Sequence, residues 1–122
     1  MRRVLVCGGR DFSDFVLMTS ALCSIAAEET DGKLFIIAGG APGAATLAIK
    51  WARLHGCDFK EFHADWATHG KRAGPVRNQQ MLNEGAPDLV VSLPGGRGTA
   101  DMVRRARNGG FEVKEVKYVQ ST

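Results

Sequence analysis

The stretch Leu89-Val90-Val91-Ser92-Leu93-Pro94-Gly95-Gly96-Arg97-Gly98-Thr99 joins an apolar run of strand length to a glycine-rich turn and then to a segment of helical period. A turn of this composition between a strand and a helix is a cradle for an anion. Gly95, Gly96 and Gly98 lack a Cβ, are able to take positive φ, and let backbone N–H groups approach a phosphate. The helix starting near Thr99 adds the positive end of its dipole. The chemistry implied is binding of a nucleotide or a sugar phosphate.

Outward from that turn the same alternation fills the chain. Strand candidates are Arg3–Cys7, Leu34–Ala38, Phe59–His63, Asp88–Leu93 and Glu112–Lys117; helix candidates are Ser13–Glu29, Ala44–His55, Gly74–Glu84 and Thr99–Asn108. The first, second and fourth strands are nearly continuous apolar runs, as expected when helices cover both faces of a parallel sheet. The expected fold class is α/β: a single Rossmann-like three-layer domain over residues 1–122, with a mainly parallel sheet of about five strands. Right-handed crossovers then gather the loops after the strands at one edge of the sheet, where open α/β folds bind ligands.

Three glycine-rich turns fall on that edge: Gly8-Gly9-Arg10-Asp11, Gly39-Gly40-Ala41-Pro42-Gly43, and Pro94 to Thr99. Tight βα connections account for one glycine each, not for repeated pairs followed by a helix start. The expected phosphate contacts are therefore Gly8, Gly9, Arg10, Gly39, Gly40, Gly43, Pro94, Gly95, Gly96, Arg97, Gly98 and Thr99. None of the turns is Gly-x-Gly-x-x-Gly, and no Gly-Lys-Ser/Thr is present, which disfavours dinucleotide-fingerprint and P-loop chemistry.

Composition sets outer limits. With 122 residues, of which 44% are hydrophobic and 24% charged, the chain suits one soluble core, and no run approaches the ~20 apolar residues of a membrane helix. Met1-Arg2-Arg3 precedes an apolar run that Gly8-Gly9 ends too early for a signal peptide, so a cytoplasmic location is expected. Cys7, Cys23 and Cys57 form no Cys-x-x-Cys pair, so reduced thiols are expected, not a disulfide framework or a zinc site. The net charge of +3 fits an anionic ligand but is too small to indicate nucleic acid as a partner.

These motifs together resemble the SLOG superfamily, which includes the LOG phosphoribohydrolases and DNA-processing protein A. The resemblance rests on Pro94 to Thr99, on Gly39-Gly40-Ala41-Pro42-Gly43-Ala44 and on Arg77-Asn78-Gln79-Gln80-Met81. Gly9-Arg10-Asp11-Phe12, Trp51-Ala52, Ala64-Asp65-Trp66, Ala73 to Asn78 and Gly98 to Met102 are similar to its YspA-like branch. The resemblance implies a Rossmann-like fold that binds a nucleotide or nucleotide-derived ligand at the strand ends, as a sensing or processing module. LOG enzymes cleave the N-glycosidic bond of a nucleoside monophosphate, with the signature Pro-Gly-Gly-x-Gly-Thr-x-x-Glu and an Arg-Lys-x-x-Met helix. Arg77 and Met81 match the second motif, whereas Asn78 replaces its lysine. Met102 stands where the glutamate belongs, three residues after Thr99 on one helix face. Ala45 stands where YspA-like sequences usually carry aspartate.

Two functional classes follow. The first is a ligand-binding module in which Arg77, Arg10 and Arg97 meet phosphate, with Asn78 beside Arg77. The second is a phosphoribohydrolase in which Asp11 or Asp65 replaces the missing glutamate and Arg77 assists. Asp11 equally suits a cap for the first helix, and Asp65 a turn. Asp101 is free to pair with Arg105 at i+4, and Arg104, Arg105 and Arg107 suit a solvated helix face. The segment from His63 to Pro75 is expected to be an irregular loop on which Trp66 stacks on a base or plugs the core edge. No metal or cofactor is implied. Apolar residues around most of the Ala44–His55 helix predict a homodimer.

Overall fold

The computed structural model describes residues 1–118. Its sheet is built around β1 (Arg2–Cys7), which pairs in parallel with β2 (Leu34–Gly39) on one side and β4 (Leu89–Ser92) on the other. β3 (Phe59–Phe62) extends the sheet beyond β2, and β5 (Val113–Glu115) extends it beyond β4. The order is β3-β2-β1-β4-β5, all parallel, as the sequence led us to expect of a Rossmann-like sheet.

Side-chain alternation explains why the central strands are apolar throughout. Val4, Val6, Ile36, Ala38, Leu89 and Val91 face the layer formed by α1 (Phe15–Ala26) and α2 (Ala44–Leu54), meeting Met18, Leu22, Ile25, Ala48 and Trp51. Leu5, Ile37 and Val90 face the opposite layer of α4 (Ala73–Gly85) and α5 (Arg97–Asn108), meeting Met81, Leu82, Met102 and Ala106. A strand buried on both faces has no polar position to spare.

Three local features differ from the sequence reading. The segment after β3 is not irregular: Trp66–His69 form a short α3, followed by a 3-10 turn over Gly70–Arg72. Its residues are all unburied, so no apolar periodicity announces it. α5 starts at Arg97, which places Gly98 and Thr99 inside its first turn. α1 is capped by Asp14, whose carboxylate accepts from the Leu17 N–H at 3.0 Å, leaving Asp11 outside that role.

The chain lays β1 to β3 outward in one direction and returns to place β4 on the other side of β1. The carboxyl ends of β1 and β4 therefore flank the point where strand order reverses, and their following loops diverge there. That divergence opens the cavity described next.

Candidate functional site

The three glycine turns meet at this crevice because their backbones pack directly on one another. The Gly9 N–H donates to Pro94 O at 2.9 Å, and Gly9 O accepts from the Phe12 and Ala44 N–H groups at 3.2 and 3.1 Å. A Cβ on Gly8 would lie 2.6 Å from Ala44 Cβ, and one on Gly95 would lie 2.6 Å from Gly9 N. A Cβ on Gly43, at φ 83°, would strike the carbonyls of Gly9 and Arg10. These glycines permit close packing of turn against turn. Of the cradle glycines only Gly43 has positive φ, so Gly95, Gly96 and Gly98 work without the left-handed conformation the sequence suggested.

Gly96 and Gly98 differ from the rest. Neither has positive φ, and a Cβ on either would meet nothing within 4 Å. Both line a cavity of about 1060 Å³, together with Gly8, Gly9, Arg10, Asp11, Gly39, Arg77, Asn78, Pro94, Gly95, Arg97 and Thr99. Of the residues selected from sequence, Gly40, Gly43 and Asp65 do not line it. Gly40 lies under the His63 ring, and Asp65 caps α3 by accepting from the Thr68 N–H at 3.1 Å. Bonds from the Thr68 side chain and backbone hold the Asp65 carboxyl below the usual carboxylate range.

The cavity holds more arginine than carboxylate: Arg10, Arg77, Arg97 and Arg104 line it against Asp11 and Asp101. Arg77 lies across Gly39, with its guanidinium carbon 2.9 Å from where a Cβ on that glycine would sit. Its Nε–H is buried without a hydrogen-bond partner among the described residues. Burial, and secondly the charge of Arg10, lower the Arg77 pKa, while the group stays charged at neutral pH. Among the described residues, Arg10, Arg77 and Arg97 make no salt bridge. α5 points its first turn at the same space, and Gly96 offers no side-chain cap for the orphan N–H groups there.

Two neighbours of this cluster are already occupied. Asn78 is 6% exposed and spends its Nδ2 on Gly98 O at 3.2 Å and Asp101 Oδ2 at 3.0 Å, tying the Arg77 helix to α5. Burial raises the Asp101 pKa, but bonds from Asn78 and Arg105 and the charges of Arg105 and Arg104 outweigh it and hold the carboxyl low. Asp101 is thus a structural hub at the cavity wall, bound to Arg104 at 2.6 Å and Arg105 at 2.8 Å. Met102, at the position of the LOG glutamate, is fully buried against Met81, Leu82 and Leu5 and does not line the cavity.

Sequence reasoning passed over Cys7 and Tyr118. Cys7 lines the cavity, and burial pushes its thiol up to about 12, against a lowering bond from Ser92. Tyr118 stacks on Phe12 at 6.3 Å and borders both this cavity and a second one of about 800 Å³ beyond the Pro94–Gly96 turn. Its position just past a strand that ends on this edge was the available signal. Trp66 is 52% exposed at the rim, so the platform and not the core plug is what the fold leaves open.

The geometry fits the relatives. A model of the YspA, cpYpsA-related SLOG family matches residues 2–69, which include the first two glycine turns. The chain belongs to that family. It is 39% identical over 120 residues to the Gene 61 protein of Mycobacterium phage D29, a match spanning 93% of this chain and 94% of that protein. The structure of DNA processing protein A from Streptococcus pneumoniae shares the fold, with a TM-score of 0.75 at 18% identity over 94% of this chain. This SLOG chain spans about half the length of that structure, 50% of it. Among the described residues, no helix is long and apolar enough to cross a membrane.

Proposed function

We propose that the cavity at the carboxyl edge binds the phosphate of a nucleotide or nucleotide-derived ligand, as a sensing or processing module. The observation that carries this reading is the Arg10 and Arg77 pair. Among the described residues, neither of these two guanidiniums is salt-bridged to a carboxylate, and the buried Arg77 Nε–H has no acceptor. An oxyanion placed between them accepts that hydrogen, relieves their mutual repulsion and repays the desolvation of Arg77. The open Cβ directions of Gly96 and Gly98 give it room beside the α5 N-terminus. Trp66 at the rim supplies a face for the base. Arg104, Arg105 and Arg107 pair with Asp101 and Glu115, which removes them from any basic track for nucleic acid. Calorimetry with a panel of nucleoside monophosphates tests the reading, and equal affinity for the matching nucleosides overturns it.

A second reading, the LOG-like phosphoribohydrolase, draws on one observation: Asp11 is an exposed carboxylate on the same cavity. Chromatography for free base after incubation with nucleoside monophosphates tests it, with Asp11→Asn as the control. Asp65, which caps α3, is the weaker candidate. The homodimer reading keeps little of its first support, because α2 spends Ala44, Ala45, Ala48, Ile49, Trp51 and Ala52 on its own core and leaves Leu54 outward. Light scattering decides it. A cytoplasmic location completes the proposal, and fractionation of expressing cells checks it.

A further inference from the structure

The opposite end of the molecule holds a side-chain pair that phosphate binding does not use. α1 and α2 both run away from the cavity, and near their far ends Cys23 Sγ lies 3.7 Å from His55 Nε2. The His55 ring is oriented from its other side, with Nδ1 2.9 Å from Trp51 O. A carbonyl only accepts, so Nδ1 carries the hydrogen, and in the neutral ring Nε2 presents its lone pair to the thiol. Stacking on Trp51, with centroids 4.4 Å apart, fixes the ring plane. A thiol, a base within reach and a third group that orients the base are the elements of an activated nucleophile. The α2 C-terminus, where His55 sits, favours the imidazolium that forms when the thiol proton moves across.

The three cysteines are sorted by their surroundings. Cys7 is held protonated by burial, with its thiol pushed up to about 12. Cys57 is 8% exposed, and its Sγ faces His55 O at 3.8 Å. Cys23 is partly exposed beside an exposed histidine.

We propose that Cys23 and His55 form a thiol modification site that reacts with low-molecular-weight disulfides. Cys23 passes its proton to His55 Nε2, and the thiolate attacks one sulfur of the disulfide. The new S–S bond forms as the old one breaks, and the departing thiolate takes the proton back from His55, so no further oxidant is needed.

Treating the full chain with a dipyridyl disulfide and mapping adducts by peptide mass spectrometry tests this directly. Cys23 is expected to carry the first adduct. An ordinary thiol is only about 3% ionised at pH 7, which caps the acceleration a base can give at roughly thirtyfold. His55→Gln should therefore slow the reaction by about fivefold or more at pH 7, and the two proteins should react alike near pH 10, where thiols ionise unaided. A first adduct on Cys7 or Cys57 in the unaltered chain overturns the proposal. So does an unchanged rate in His55→Gln at pH 7, or an equal slowing at both pH values, which would mark His55 as a packing element only.

Discussion

The two ends of the sheet handle charge in opposite ways. At the amino edge Arg2 and Arg3 are both engaged: Arg2 bridges Glu28 at 3.1 Å and Glu112 at 3.4 Å, and the Met1 amino group pairs with Glu29 and Asp31. Arg3 donates from Nε and Nη2 to Gly85 O at 2.8 and 2.6 Å, closing the C-terminus of α4, and lies over the Phe35 ring at 4.5 Å. At the carboxyl edge Arg10, Arg77 and Arg97 have no salt-bridge partner among the described residues. The helices that start at the carboxyl edge differ among themselves: α1 and α3 are capped by Asp14 and Asp65, whereas α2 and α5, which start at the cavity turns, have glycine caps with no side chain to offer. The three unpaired arginines at the carboxyl edge are what the proposed phosphate site rests on.

The largest effect expected from breaking this contrast is at Met102. Replacing it with glutamate does not restore a carboxylate to the cavity; it buries one among Met81, Leu82 and Leu5. Met102→Glu should destabilise the chain by about 3 to 5 kcal/mol in urea denaturation and release no base from a nucleoside monophosphate. Gain of glycosidase activity in a stable mutant contradicts this placement.

The arginines sharpen the comparison next. Arg77→Ala should weaken a nucleoside monophosphate by about 1.5 to 3 kcal/mol in calorimetry while leaving thermal stability unchanged or raised, because it removes an unpaired buried group. Arg3→Ala should do the reverse. It should cost about 1 to 2 kcal/mol of stability, through the lost bonds to Gly85 O, with affinity untouched. Stability loss in the first mutant, or affinity loss in the second, would erase the distinction between the edges.

Ala45 gives the smallest effect. It lines the cavity at the start of α2, where an aspartate would set a negative charge against the incoming phosphate. Ala45→Asp should lower affinity by about 1 kcal/mol, and by less at high salt. Titrations at two ionic strengths measure both changes.

Much of this was legible in the residues. Continuous apolar strands and glycine turns announce a parallel sheet whose following turns gather at one edge, and the isolation of Arg77 separates it from the run Arg104, Arg105 and Arg107. Strand order was not legible, since apolar strands of similar length offer no unique partner. The inward turn of Met102 was not legible: it sits about 60° around the helix from Thr99, enough to bury it, while Arg104, farther along α5, still lines the cavity. The three cradles also proved to be partly packing devices, because the sequence does not distinguish a glycine pressed by backbone, such as Gly8, from one facing open space, such as Gly96.

The central claim is that the carboxyl edge awaits a phosphate. Calorimetry of the unaltered chain with a nucleoside monophosphate and its parent nucleoside, side by side, measures this most directly. The account predicts that the phosphate adds at least about 1.5 kcal/mol, more than tenfold in Kd, and that added salt erodes the difference. Equal affinity for the two, or tighter binding of the nucleoside, contradicts it.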